Sequence, residues 1–217
     1  MTRFLAERGV ESKFVNGLRV TTPEVVDAVL KVFAGSVNHE LVASLVDAGS
    51  MAVGLTGIDA RLTEAEPMDP ALGAVGKVVR SNAAVLNTLT GDGFVPVVAC
   101  VAGGPGGQIF NVNADQMAVA CAVAFHAERL IFLTDVDGVK GADNAVISSL
   151  LPSACEHLIN SGVATGGMQA KLNAATDAIK GGIGQVVIAP GALERAAARI
   201  LAGENIGTRL VPEEARH

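Results

Sequence analysis

Residues 109–138 read IFNVNADQMAVACAVAFHAERLIFLTDVDG. Ile109 to Val112 has the length and character of a short strand, and alternation along it sends Val112 and Ala114 to the core while Asn111, Asn113 and Asp115 share the opposite side. A helix follows from Asp115 to Ala127. Arg129 to Leu133 then forms a second, buried strand that ends in Thr134-Asp135-Val136-Asp137-Gly138. A strand, a helix and a continuously apolar strand in succession is the repeating unit of an α/β layer protein, whose sheet is covered on both faces.

The same alternation continues outward in both directions. Phe4 to Arg8 reads as the end of a helix closed by Gly9, and Thr22 caps a helix that starts at Pro23. Its apolar face is Val25, Val26, Val29, Leu30 and Phe33, and Gly35 is its expected stop; a second helix runs from Val37 to Ala48 and ends at Gly49. Met51 to Leu55 suits a buried strand, Arg61 to Glu64 and Val75 to Val79 can pair as a hairpin, Ala83 to Leu89 is helical, and Phe94 to Val101 is a strong strand. On the carboxyl side, helices near Pro152–Asn160, Met168–Lys180 and Leu193–Leu201 flank a strand at Gln185 to Ile188. The predicted fold is α/β, an open, mostly parallel sheet with helices on both faces. No period of 20–50 residues repeats, which sets solenoids and propellers aside.

Half of the 217 residues are hydrophobic, enough for a core and too many for a disordered chain. Sixteen Lys and Arg against 22 Asp and Glu leave a net charge of −6, and no window gathers the cations into a stripe that could follow a phosphate backbone. No nucleic-acid partner is expected. Cys100, Cys121 and Cys155 are widely spaced among small apolar residues and read as reduced thiols of a cytoplasmic protein. The four histidines make no metal-ligand spacing, so no protein metal site is expected. Residues 93–114 carry no charge, yet Pro96 and the run Gly103-Gly104-Pro105-Gly106-Gly107 turn a would-be membrane span into strand and turn, so no membrane partner is expected. Glu7 and Arg8 stand where an export signal needs apolar residues.

Ligands of open α/β sheets sit beyond the carboxyl ends of the strands, and three polar stretches lie there. Asn111, Asn113 and Asp115 converge at a strand-to-helix junction, where Asn113 or Asp115 could equally serve as a helix cap. Thr165-Gly166-Gly167-Met168-Gln169-Ala170-Lys171 opens a helix with a glycine pair and places a lysine in its first turn, which suits a phosphate; an ordinary loop with a surface lysine uses the same residues. Asp135, Asp137 and Gly138 end a strand and also suit a plain turn. Gly181-Gly182-Ile183-Gly184 follows a helix and precedes a strand, the reverse of a dinucleotide fingerprint, and Gly103 to Gly107 lacks the Lys-Ser/Thr ending of a phosphate loop. Both read as loops.

In chain order, Gly17-Leu18-Arg19-Val20-Thr21, Val53 to Asp59, Asn111 to Asp115, Leu133 to Val139, Gly166-Gly167-Met168 with Lys171, and Gly207-Thr208 resemble the amino acid kinase family over nearly the whole chain. The likeness is greatest to its members that phosphorylate N-acetyl-L-glutamate in arginine biosynthesis. It implies a three-layer sandwich, with residues 1–112 forming an amino-acid-substrate and dimerisation half and residues 113–217 a nucleotide-binding half. It implies transfer of a phosphoryl group from ATP, accompanied by Mg²⁺, to the side-chain carboxylate of N-acetyl-L-glutamate. By the same likeness Arg19, Asn111 and Asn113 bind the substrate, and Lys171 faces the phosphates while Asp115 orients it. Asp135, Val136, Asp137, Gly138, Val139 and Lys140, with Val163, Ala164, Thr165, Gly166 and Gly167, bind the nucleotide. The family pattern opens with Lys-x-Gly-Gly and His-Gly-Gly-Gly strands, and neither motif occurs in this sequence. The expectation is therefore an amino-terminally truncated fold that binds nucleotide weakly and transfers little.

The likeness also implies a homodimer, and the helix Val37 to Ala48 offers Leu41, Val42, Leu45 and Val46 as the apolar stripe for it. Two other readings stand beside this one. A non-catalytic homologue would bind nucleotide or a partner chain. A kinase for aminoadipate or glutamate on an acidic carrier protein would need a basic docking face, which a net charge of −6 disfavours.

Overall fold

The computed structural model describes residues 1–15 and 17–213, and the chain divides into two compact units, Met1–Phe125 and the residues from His126 onward. The first unit opens with helix α1 (Thr2–Ala6), closed by Gly9 at φ +67°, and a hairpin of β1 (Phe14–Val15) and β2 (Leu18–Arg19). Helix α2 (Pro23–Val29) starts as its sequence predicts: the Thr22 hydroxyl accepts the Val25 N–H at 3.4 Å, and proline occupies the first turn, where its missing donor costs nothing.

Gly35 does not end this helix. The chain passes through a π-helical segment, Leu30–Val37, directly into α3 (Asn38–Asp47), so that Pro23–Asp47 is one helical rod. A glycine inside a helix costs about 1 kcal/mol against alanine. The compensation lies three residues on, where the buried Asn38 amide donates to the carbonyls of Val97 at 2.8 Å and Leu55 at 3.4 Å. The rod has a mean hydropathy of 1.3 over its most apolar window and the length to cross a membrane.

Two sheets complete this unit. In one, β3 (Ala52–Thr56) and β6 (Val95–Ala99) pair in parallel. In the other, the order is β5-β4-β7-β8, built from β4 (Thr63–Pro67), β5 (Gly76–Ser81), β7 (Val101–Gly103) and β8 (Ile109–Asn111). The hairpin expected near residues 61–79 is the antiparallel β4–β5 pair. The single strand expected over Phe94–Val101 is two strands in two sheets, because the chain changes partners at Cys100: Ala99 pairs with Thr56, whereas Val101 pairs with Asn111. Helix α4 (Ala84–Gly91) and helix α5 (Ala114–Phe125) cover this unit's strands, with Leu62, Ala83 and Leu86 in one cluster and Ala65, Phe110, Val112 and Met117 in another. Because α5 packs on β5, the boundary between units falls after Phe125 and not at residue 112.

The second unit holds a four-stranded sheet of order β10-β12-β11-β9. Its strands are β9 (Arg129–Thr134), β10 (Ser149–Leu150), β11 (Gln185–Pro190) and β12 (Thr208–Leu210). β9 and β11 are parallel over six residue pairs, and β12 runs antiparallel to β11. Three helices, α6 (Pro152–Asn160), α7 (Gly166–Lys180) and α8 (Ala196–Leu201), accompany it. Val187 and Ala189 face Ile200 of α8; Val186 and Ile188 are equally buried and point by alternation to the other face, so helices cover both. The α/β class is as expected, with the parallel pairs distributed over mixed sheets.

Candidate active site

In the first unit Thr21, just after β2, bridges to Gly73 in the loop that leads into β5. The buried Thr21 takes the Leu72 carbonyl with its N–H, and its own carbonyl accepts from Ala74. Gly73 is required at this crossing, since it sits at φ +66° and a Cβ there would lie 2.4 Å from the Thr21 carbonyl oxygen. The Thr21 hydroxyl donates to the Arg19 carbonyl at 2.8 Å and accepts from the Asn111 side-chain amide at 3.1 Å. One threonine thus joins two predicted substrate residues that are far apart in sequence. Thr21 stands in the Gly17–Thr21 stretch of the sequence, where nothing but its place two residues after Arg19 marked it out.

The Arg19 guanidinium is held as well. Its Nη1 donates to the Ser12 hydroxyl, its Nη2 donates to Thr2 Oγ1 at 3.3 Å, and the Phe14 ring lies 4.5 Å away. Asn113 takes the alternative role raised from sequence: its side-chain oxygen accepts the Asp115 and Gln116 N–H groups at 3.0 and 3.2 Å, capping α5. Asp115 is half-buried in the first turn of that helix.

In the second unit, β9 and β11 are parallel and α7 returns the chain to β11, so the start of α7 lies at the carboxyl end of the sheet with the 135–140 loop. Asp135, Val136 and Asp137 are exposed there, while Gly138 and Val139 are buried and Lys140 is exposed on a short bridge to Val146. Gly138 has φ +151°, and a Cβ on it would lie 2.9 Å from Thr208 Oγ1. That hydroxyl accepts the buried Val139 N–H at 2.8 Å. Thr208→Val keeps the shape and strands this donor, and the expected result is a loss of about 1–3 kcal/mol, measured by denaturant unfolding.

Val163, Thr165, Gly166 and Gly167 are exposed and Ala164 is buried; Gly166 is at φ +54° and no side chain caps the helix start. The first amides of α7 are therefore open to an anion. Because α7 begins at Gly166, Lys171 belongs to its second turn and not its first, and its Nζ lies 5.9 Å from the Phe132 ring. The thiols offer no alternative nucleophile: burial raises all three, Cys121 up to about 11, so they stay protonated at neutral pH. Among the described residues no group of three or more His, Cys, Asp or Glu side chains is placed to hold a metal ion.

Sequence comparison shows the class: the chain belongs to the amino acid kinase family, whose profile matches residues 1–190. Among its relatives, the acetylglutamate kinase of Solibacter usitatus is 66% identical over 97% of this chain and 82% of its own length. That of Rubrobacter xylanophilus is 45% identical over 99% and 83%. Among solved structures, smu.665 from Streptococcus mutans superposes with a TM-score of 0.84 at 28% identity, covering 97% of this chain and 81% of that one. The N-acetylglutamate synthase of Neisseria gonorrhoeae, crystallised with coenzyme A and N-acetyl-glutamate, gives 0.85 at 25% identity over 98% of this chain and 49% of its own.

Proposed function

We propose that this chain is an acetylglutamate kinase-type phosphotransferase that acts on N-acetyl-L-glutamate with ATP, in arginine biosynthesis. The observation that carries the reading is the Thr21 link, whose hydroxyl donates to the main-chain carbonyl of Arg19 and accepts from the Asn111 side-chain amide, so that the Arg19 backbone and Asn111 meet at one residue. In this reading Arg19 grips the substrate's α-carboxylate through a bidentate fork and Asn111 hydrogen-bonds the rest of its head. Asn113 supports that site by fixing the start of α5.

The open amides of Gly166 and Gly167, with the 135–140 loop, receive the nucleotide, and Lys171 neutralises its phosphates. Asp115, in the first turn of α5, is the carboxylate that the likeness to the family assigns to the site. A side-chain carboxylate oxygen of the substrate attacks the γ-phosphorus, the bond to the β-bridging oxygen breaks, and an acyl phosphate and ADP result. Little covalent work falls to the protein; fixed positive charge and N–H dipoles do most of it. Mg²⁺ enters on the phosphates, where it needs few protein oxygens.

Hydroxylamine trapping tests the proposal. Acyl hydroxamate is expected only when N-acetylglutamate, ATP and Mg²⁺ are all present. ATP hydrolysis with no dependence on the acetylated acceptor would refute it.

We propose further that the chain acts as a homodimer in the cytoplasm. Leu41 and Val46 of the long helix are 49% and 52% exposed, with Val42 and Leu45 half-buried beside them, a stripe suited to a second copy. Glu24, Asp27, Lys31, Glu40 and Asp47 make the same helix a costly membrane span. The double variant Leu41→Glu, Val46→Glu should halve the mass seen by light scattering at micromolar concentration; an unchanged mass would place the dimer contact elsewhere. Three free thiols agree with a reducing compartment.

A further inference from the structure

A two-residue hairpin strand is an odd place for a phenylalanine. Phe14 is 56% exposed, yet β1 and β2 pair it directly opposite Arg19. Residues opposite one another in a ladder have their side chains on one face, and the ring lies 4.5 Å from the guanidinium carbon. The Ser12 hydroxyl and Thr2 Oγ1 take one N–H each from Nη1 and Nη2. Arg19 has no ion pair among the described residues. Every group that orients it is neutral. Of its five N–H donors two are used and three are left, enough for a carboxylate that needs two.

We propose that Phe14 and Ser12 are positioning residues, which hold the Arg19 guanidinium in one orientation while leaving its charge and its remaining N–H groups for the substrate carboxylate. A carboxylate in place of either would fix the same orientation and neutralise the charge the substrate is to find. A long arginine side chain has much rotameric freedom, and restraining it before binding removes that cost from the binding step. The inference rests on Arg19 being the substrate's anchor, but the restraint itself is measurable without substrate.

The test uses the full chain with nitrogen-labelled arginine. In the wild type the Arg19 Nη signals are expected to be resolved and slowly exchanging. In Phe14→Leu they should collapse to the average of a freely rotating guanidinium, and in Phe14→Tyr they should stay resolved. Calorimetry with N-acetyl-L-glutamate should show about 5–10-fold weaker binding for Phe14→Leu, a smaller loss for Ser12→Ala, and recovery to within about twofold for Phe14→Tyr. A freely rotating Arg19 in the wild type, or Phe14→Leu binding as the wild type does, overturns the inference. Loss of binding in Arg19→Ala together with no loss in Phe14→Leu overturns this inference alone. A wild type that holds Arg19 rigidly but does not bind N-acetylglutamate overturns the substrate reading instead.

Discussion

Replacing Lys171 with Met is expected to weaken MgADP binding about 10–100-fold and to lower acyl phosphate formation by a further factor of about 10²–10³. The first figure is the ordinary worth of charged hydrogen bonds, about 1.5–3 kcal/mol, and the second is that of one preorganised group facing the transferring phosphoryl. Methionine preserves the aliphatic stem and the packing against α7's neighbours, so stability should hardly change. N-acetylglutamate affinity should stay within about twofold, since the residues assigned to that ligand are in the other unit. Calorimetry with each ligand separately checks both halves of the expectation. Equal loss of both ligands would mean that Lys171 supports the fold and not the nucleotide.

Arg19→Ala carries the next largest effect. Removing the guanidinium leaves the substrate's α-carboxylate without its partner in a partly desolvated site, at a cost of about 2–4 kcal/mol, or about 30- to 1,000-fold in affinity. MgADP binding should be unaffected. An amide blocking the α-carboxylate of the ligand should bind the wild type as poorly as the acid binds Arg19→Ala. If the blocked ligand binds normally, Arg19 grips some other group. Part of any loss could come from the hairpin itself, because Arg19 also ties β1 to α1 through Ser12 and Thr2. Arg19→Lys separates the two: it keeps a charge but lacks the planar fork, so most of the loss should persist.

The sequence was most informative where period and capping agree. Thr22-Pro23 opens α2 as written, the β9 run is a strand parallel to β11 although only its Phe132 is buried, and the glycine clusters at 103–107 and 181–184 are loops. The errors share a physical cause, in that each was decided by a contact with a residue far along the chain. Gly35 looks like a stop until Asn38 is seen bonded to Val97, and the strand around Cys100 looks continuous until its two halves find different partners. Strands β10 and β12 are two and three residues long and carry no periodic signal of their own.

The candidate site was legible unevenly for the same reason. Arg19 was named only through the likeness to the amino acid kinase family, whereas Asn111 also stood out by its place at a strand-to-helix junction and Lys171 by its place near a glycine-led helix start. Thr21, which joins the first two, and Ser12 and Phe14, which hold Arg19, were not singled out, since their importance appears only when Thr21 bonds Leu72 and Ala74 and β1 folds back on β2. Asn113 was read as a ligand and as a cap, and its side-chain oxygen bonds the start of α5. Lys171 sits one turn deeper in its helix than the sequence suggested, above Phe132 of β9.

The central claim is that unit 1 recognises an N-acylated acidic amino acid through Arg19 and Asn111. Titration calorimetry of the wild-type chain with N-acetyl-L-glutamate in the presence of MgADP tests it most directly. The account predicts saturable one-site binding that is lost in Arg19→Ala, is weakened by blocking the α-carboxylate, and is much poorer for free glutamate. No binding of N-acetyl-L-glutamate, or binding that survives in Arg19→Ala unchanged, would contradict it.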